Sequence, residues 1–99
     1  MRYKNPYYRR VRGSSTLLIC CGYCKTDIAL YQKLGKGTLL RMYVDRIIRS
    51  SVDLAGNPGA LFCPNCQKQL ATRVTLKKKN KEAYVMTRGV FNARQVRRI

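Results

Sequence analysis

Two Cys-x-x-Cys units, Cys21-x-x-Cys24 and Cys63-x-x-Cys66, limit the folding of this chain more than any other feature. Two thiolates three residues apart on a tight turn hold one metal ion as a chelate, and two such turns complete a tetrahedral four-sulfur site. A single domain of 99 residues has a small core, and a structural zinc site contributes roughly 10–16 kcal/mol of apparent binding free energy to folding. The spacing therefore predicts a structural Zn²⁺ site with these four cysteines as ligands.

The cysteines allow other interpretations as well. Four thiolates also suit iron in a rubredoxin-like site, and closely spaced thiols also occur as redox pairs or as buried apolar groups. A strongly basic chain is an unusual electron carrier, so zinc is favoured over iron. The fifth cysteine, Cys20, is interpreted as a small apolar residue at the end of a strand, with Cys20-x-x-x-Cys24 as the alternative pairing. An odd cysteine count and the lack of a secretory signal favour reduced thiols and a cytoplasmic protein.

Short runs of β-branched or alternating apolar residues between turn signals predict a mostly-β fold. Strands are expected over residues 16–20, 27–32, 38–44, 70–77 and 83–87, and residues 45–51 are ambiguous between strand and helix. The clearest strand has Leu70, Val74 and Leu76 on one parity, which is typical of a half-buried strand. The glycine-rich segment 34–37 indicates a turn and not a phosphate-binding P-loop, because Gly37 separates Lys36 from the next Thr.

The two motifs, CGYC and FCPNC, each lead into predicted strands and resemble the knuckles of a zinc ribbon over about residues 17–87. The resemblance implies a small mostly-β protein in which two hairpin turns hold one zinc ion and a short antiparallel sheet extends from them. This chain departs from the common pattern in having Lys25 and Gln67 where a glycine often follows the second cysteine of a knuckle. Zinc ribbons occur in ribosomal proteins, transcription factors and RNA polymerase subunits, so the fold alone does not choose the function.

The charge is concentrated at the two ends of the chain. The formal net charge is +17, from 21 Lys and Arg against four Asp and Glu. We expect a basic extension over residues 1–15 that is disordered when free, a zinc-ribbon domain over residues 16–89, and a basic tail over residues 90–99. The arginine spacing in the tail is compatible with a short C-terminal helix with Arg94, Arg97 and Arg98 on a common side.

Such an excess of positive charge indicates a polyanionic partner, and nucleic acid is the usual one. Tyrosines set among arginines favour structured RNA, because both side chains stack on unpaired bases while Lys and Arg neutralise phosphates. The expected function is a ribosomal or ribosome-associated protein that contacts rRNA, with neighbouring ribosomal proteins as further partners. The candidate contacts are Arg2, Lys4, Tyr7, Tyr8, Arg9, Arg10, Arg12, Lys36, Lys77, Lys78, Lys79, Arg94, Arg97 and Arg98.

Enzyme and membrane functions fit the sequence poorly. The chain has no His and only four acidic residues, so the usual general acid–base sets are nearly absent and no small-molecule substrate is expected. No apolar run is long enough to span a membrane. The alternative function is a transcription-associated zinc ribbon that binds DNA or RNA polymerase, although no helix-turn-helix pattern for reading duplex DNA is visible.

Overall fold

Nine β-strands and one short 3-10 helix form the regular structure in the computed structural model, which describes residues 1–97. The strands are, in chain order, β1 (Tyr3–Lys4), β2 (Ser15–Cys21), β3 (Asp27–Lys33), β4 (Arg41–Tyr43), β5 (Ile47–Ser50), β6 (Ala60–Phe62), β7 (Gln69–Leu76), β8 (Lys81–Met86) and β9 (Phe91–Val96). The 3-10 helix spans Val44–Arg46 between β4 and β5.

The strands form two antiparallel sheets. The first has the strand order β1-β5-β3-β2-β9, and the second has the order β4-β8-β7-β6. Short turns join β2 to β3 and β6 to β7, and each of these turns carries one Cys-x-x-Cys unit. The two units therefore belong to different sheets, so a metal ion held between them would join the sheets.

One apolar core is shared by both sheets. Fully buried side chains of the first sheet and of the second sheet belong to the same cluster, among them Ile19, Tyr31, Ile47, Met42, Leu61, Leu70 and Tyr84. The hydroxyls of the two buried tyrosines have partners: the Tyr43 backbone N–H donates to Tyr31 Oη at 2.9 Å, and the Tyr84 hydroxyl donates to the Pro58 carbonyl at 2.8 Å. Large aromatic side chains thus fill the core without leaving a buried hydroxyl unsatisfied.

The prediction of a small, mostly-β protein is confirmed. The strands expected over residues 16–20, 27–32, 70–77 and 83–87 correspond to β2, β3, β7 and β8. The strand expected over residues 38–44 is shorter, since β4 contains only Arg41–Tyr43. The ambiguous segment 45–51 contains the end of the 3-10 helix followed by β5.

The C-terminal segment is a strand, and the helix considered for it is wrong. β9 pairs with β2 along its length, from Cys21↔Phe91 to Thr16↔Val96. The arginine spacing is compatible with a helix, but such a helix would have no apolar stripe with which to pack on the domain. A strand instead satisfies the backbone groups along the free side of β2, and burying those groups unpaired would be costly. The residues of β9 consequently belong to the first sheet.

The N-terminal segment lies on the domain. β1 pairs with β5, and the buried Asn5 side chain donates to the carbonyls of Val44 at 2.7 Å and Ile47 at 2.8 Å. The Arg9 backbone N–H donates to the Asp45 carbonyl at 2.9 Å. The structure thus attaches the start of the segment that the sequence analysis expects to be disordered when free. An Asn5 variant tests that expectation below.

Candidate metal centre and nucleic-acid interface

The four predicted metal ligands come together at the end of the two sheets. Cys21 is the last residue of β2, and Cys63 directly follows β6. Cys24 and Cys66 lie in the turns that follow. The sulfurs of Cys21 and Cys66 are 3.5 Å apart, those of Cys24 and Cys63 are also 3.5 Å apart, and all four lie within 4.8 Å of one another.

The two knuckles have the same backbone hydrogen bonds. In the first, Cys21 N–H donates to the Thr26 carbonyl at 2.9 Å and Lys25 N–H donates to the Cys21 carbonyl at 3.0 Å. In the second, Cys63 N–H donates to the Lys68 carbonyl at 2.9 Å and Gln67 N–H donates to the Cys63 carbonyl at 2.9 Å. The matched turns present two pairs of sulfurs to each other across the sheets.

A left-handed backbone conformation closes each knuckle. The residue after the second cysteine has a positive φ in both, 65° at Lys25 and 66° at Gln67. Such values favour glycine, because a Cβ atom is strained there. The two positions at which this sequence departs from the common zinc-ribbon pattern are thus the two at which the knuckle geometry favours glycine.

The distances fit a tetrahedral thiolate site. A Zn–S bond of about 2.3 Å gives a sulfur–sulfur edge of about 3.8 Å in a tetrahedron. The two pairs at 3.5 Å are close to this edge. Cys21 and Cys63 are fully buried, whereas Cys24 and Cys66 are half-buried, so the centre is covered on the side of the core.

Hydrogen bonds and burial shift the pKa values of Cys24 and Cys66 in opposite directions. Hydrogen bonding by the Asn65 side chain, together with Thr26, lowers the pKa of Cys24 to about 5. The Lys68 backbone N–H lowers the pKa of Cys66, but burial and hydrogen bonding to the neighbouring cysteines outweigh it and raise the value to about 11. A divalent cation at this cluster would stabilise all four cysteines as thiolates.

The spare cysteine stands apart from this cluster. The Cys20 thiol donates to Asp27 Oδ1 at 3.4 Å, and burial followed by this hydrogen bond raises its pKa. The four clustered sulfurs are those of Cys21, Cys24, Cys63 and Cys66, without Cys20. The alternative pairing of Cys20 with Cys24 is therefore not the arrangement found.

The first knuckle packs closely against the chain that enters β9. Gly22 N–H donates to the Val90 carbonyl at 2.8 Å. A Cβ atom at position 22 would lie 2.9 Å from both the carbonyl carbon and the oxygen of Val90. Glycine is therefore required here by the close approach of two backbones.

Part of the basic character lies on one face of the first sheet. Residues paired directly across strands project from the same face. One row of such pairs crosses all five strands: Lys4↔Arg49, Arg49↔Leu30, Leu30↔Leu18 and Leu18↔Arg94. Ile19, the neighbour of Leu18 in β2, belongs to the core, so the row points away from it. The row therefore places two predicted contacts, Lys4 and Arg94, on one surface with Arg49.

Predicted contacts from both ends of the chain line one cleft beside this face. The cleft has a volume of about 870 Å³, and its walls include Tyr8, Arg10, Arg12 and Arg97. Its floor includes the buried side chain of Gln32. Of the described residues that line it, none is acidic.

The lysines of the β7–β8 turn lie near an aromatic side chain. Lys77, Lys78 and Lys79 are exposed, and Lys79 Nζ donates to the Tyr43 hydroxyl at 3.2 Å. Arg46 lies 4.7 Å from the centroid of the Tyr43 ring. The hydrogen bond from Lys79 is the largest cause of the lowered pKa of Tyr43.

The remaining predicted contacts are dispersed. Arg2, Tyr7, Arg9 and Lys36 are exposed and lie outside both the row and the cleft. Arg98 lies outside the described residues.

Three basic or aromatic residues at these surfaces, Arg49, Tyr43 and Arg46, are not among the contacts predicted from the sequence. The spacing of Tyr43 and Arg46 is a usable signal, because residues three apart eclipse in a 3-10 helix. The position of Arg49 depends on the pairing of β5 with both β1 and β3, for which the sequence offers no local signal.

Comparisons with protein-family models, with curated proteins and with solved structures give no match for this chain. The four-cysteine cluster is compatible with a zinc ribbon, and the resemblance rests on that cluster and its two knuckles. Within residues 1–97, no helix has both the length and the apolar character needed to cross a membrane.

Proposed function

We propose that this protein is a non-enzymatic RNA-binding protein with a structural zinc ion, and that it acts on the ribosome as a ribosomal or ribosome-associated protein in the cytoplasm. The observation that carries the proposal is the convergence of basic side chains from both ends of the chain on the first sheet. Zinc holds the two sheets together, and the basic surface binds phosphates.

Zinc is the metal that best suits the donor set. Four cysteine sulfurs with near-tetrahedral spacing are typical of closed structural zinc sites. The bound ion would supply folding free energy by fixing the knuckles of Cys21 and Cys63 to each other. A shell of four protein ligands leaves no position for a reactive water, which supports a structural and not a catalytic role.

Charge that is not neutralised within the protein supports a polyanionic partner. Within residues 1–97, the ion pairs are Arg73 with Glu82 at 2.9 Å and Lys81 with Asp45 at 3.0 Å. Most of the 21 Lys and Arg therefore have no carboxylate partner in the described part. Phosphates of RNA would supply the missing negative charge, and Arg with Tyr at one surface is a combination suited to unpaired bases.

The metal assignment is tested by metal analysis of the purified protein. We expect one zinc ion per chain by elemental analysis and native mass spectrometry. Cys63→Ser should lose the metal and unfold, whereas Cys20→Ser should keep both the metal and the fold because Cys20 is not in the cluster. Full zinc occupancy in Cys63→Ser, or iron in protein produced with both metals present, would contradict the assignment.

The RNA-binding proposal is tested by salt-dependent binding to rRNA fragments. If about six phosphates are contacted, the affinity should fall on the order of 10³-fold between 50 and 200 mM salt. The tagged protein should also co-sediment with ribosomal subunits from lysate. An affinity for rRNA that is flat over this range would refute the proposal, and co-sedimentation with RNA polymerase or DNA instead would favour the transcription-associated alternative.

A further inference from the structure

The cleft between the N-terminal segment and the end of β9 has the composition of an anion site. Three arginines line it, Arg10 and Arg12 from the segment before β2 and Arg97 from the residue after β9. No acidic residue is among the described residues of its wall. Three guanidinium groups around one cavity repel one another, and an anion in the cavity would remove that repulsion.

The pairing of β2 with β9 brings these arginines together. The two strands are antiparallel and Thr16 is paired with Val96. The chain that enters β2 therefore lies beside the chain that leaves β9. The arginines are separated by most of the sequence, yet the register of one strand pair fixes their proximity.

The size and the other walls of the cleft suit a ligand larger than an inorganic ion. Its volume of about 870 Å³ lies within the range of about 300–1,000 Å³ that is usual for small-molecule clefts. The wall includes the aromatic ring of Tyr8 and the amide of Gln32. The Gln32 side chain is held in place by hydrogen bonds with the hydroxyls of Ser14 and Thr16. Contacts within the protein therefore fix the orientation of the amide at the floor of the cleft.

We propose that this cleft binds one nucleotide unit of RNA, with its phosphate at Arg10, Arg12 and Arg97 and its base or ribose against Tyr8. Arginine is suited to this role because its planar guanidinium donates two parallel hydrogen bonds to a phosphate. The aromatic ring offers a stacking surface for any base. This assignment rests on the proposed RNA-binding function and names the position at which a nucleotide is held most closely.

The test compares two charge-matched double variants in RNA binding. Arg12→Gln with Arg97→Gln removes two charges from the cleft, and Arg41→Gln with Arg88→Gln removes two exposed arginines that do not line it. For a single-stranded rRNA fragment, the cleft variant should lose about tenfold in affinity and its slope of log affinity against log salt should flatten by about 1.4. The control should lose less affinity and keep its slope. Equal losses in the two variants would overturn the proposal.

A second measurement separates failure of the cleft from failure of RNA binding. NMR titration of the wild type with uridine monophosphate should shift the Gln32 side-chain amide and the Thr16 backbone amide, and the cleft variant should not show these shifts. Absence of these shifts in the wild type would overturn the cleft assignment even if RNA binds elsewhere. Their presence without any rRNA affinity would overturn the proposed function but leave the nucleotide site.

The source of the phosphate is resolved with two RNAs of the same sequence, one with a 5′-phosphate and one with a 5′-hydroxyl. Equal affinity for the two supports an internal phosphodiester in the cleft. A preference for the 5′-phosphate that disappears in the cleft variant supports a terminal phosphate.

Discussion

At Lys25 and Gln67, glycine should stabilise the knuckles more than alanine does. Both residues have a positive φ, 65° and 66°, which glycine adopts without a Cβ penalty. Each side chain donates a weak exposed hydrogen bond to the carbonyl three residues earlier, Lys25 Nζ to Gly22 at 3.3 Å and Gln67 Nε2 to Pro64 at 3.3 Å. Lys25 Nζ also donates to the side-chain oxygen of Asn92 at 3.2 Å. Comparison of Gly with Ala at each position cancels the loss of these contacts, because neither substitute can make them.

The expected magnitude follows from two opposing effects. A residue with a Cβ atom in the left-handed region costs about 1–2 kcal/mol relative to its preferred conformation. Glycine loses more backbone entropy on folding, which costs about 0.5–1 kcal/mol relative to Ala. Gly should therefore be more stable than Ala by about 0.5–1 kcal/mol at each of Lys25 and Gln67, or about 1–2 kcal/mol in the double variants. For a domain of this size, a difference of about 1 kcal/mol shifts the Tm by about 4–8 °C.

The assay is thermal unfolding followed by circular dichroism at a fixed concentration of free zinc, since metal binding itself raises the apparent stability. Lys68 provides the matched control, because it lies next to Gln67 and is not among the residues with positive φ. There the order should reverse, with Gly less stable than Ala. If Gly is also less stable than Ala at Lys25 and Gln67, the left-handed closure of the knuckles is refuted.

Three further predictions follow from single contacts. Gly22→Ala should destabilise the protein by about 1–3 kcal/mol, because the added Cβ atom clashes with the backbone before β9. Gly56→Ala is the control and should be neutral or slightly stabilising, because the space around its Cβ position is open. Equal unfolding midpoints for the two variants would contradict the clash. Asn5→Ala leaves two backbone carbonyls without their donor, so it should lower the free energy of unfolding by about 1–3 kcal/mol. It should also speed limited proteolysis of residues 1–15. A wild type cleaved as fast as the variant would show that this segment is disordered when free. Lys79→Ala should raise the pKa of Tyr43 toward its usual value of 10.0, as measured by NMR titration of the ring carbon. Because the folded pKa of Tyr43 is lowered, its contact with Lys79 contributes stability at pH values above 10, and this stability is lost as the pH falls through the folded pKa. An unchanged pKa of Tyr43 in the variant would contradict the assignment of the shift to Lys79.

The metal centre and most strands are predictable from the sequence because their signals are local. A Cys-x-x-Cys unit places two thiols on one turn, so the spacing alone predicts that Cys21 and Cys63 belong to the four-cysteine cluster. β2, β3, β7 and β8 each contain six to eight residues and lie between turn signals. Even the strained positions have a local signal, since the residue after the second cysteine is the position at which a zinc-ribbon knuckle often has glycine.

The fold is less predictable where pairing between distant segments decides the outcome. β9 is a strand because it pairs with the otherwise free side of β2. The sequence near Phe91 does not indicate that this pairing partner is available. β7 presents a second example: the parity of Leu70, Val74 and Leu76 predicts one buried face. The core instead contains the adjacent residues Leu70 and Ala71, one of each parity, and Val74 and Leu76 are only half-buried. Arg73 lies opposite the buried Tyr84 and donates to its hydroxyl at 3.0 Å. A basic side chain whose stem packs against an aromatic ring cannot be distinguished in the sequence from a solvated one.

The geometry of β2 separates the metal centre from the nucleotide cleft. Its last residue, Cys21, belongs to the four-cysteine cluster that could hold a metal ion, whereas Thr16 near its other end lines the cleft. At about 3.3 Å per residue, the five residue steps from Thr16 to Cys21 place the two sites about 17 Å apart. A metal ion at that distance would not contact a phosphate in the cleft, so under the proposed function it would influence RNA binding only by keeping β2 and its neighbours folded. Loss of zinc should therefore abolish folding and RNA binding together, whereas loss of Arg12 and Arg97 should weaken RNA binding with zinc content and Tm unchanged.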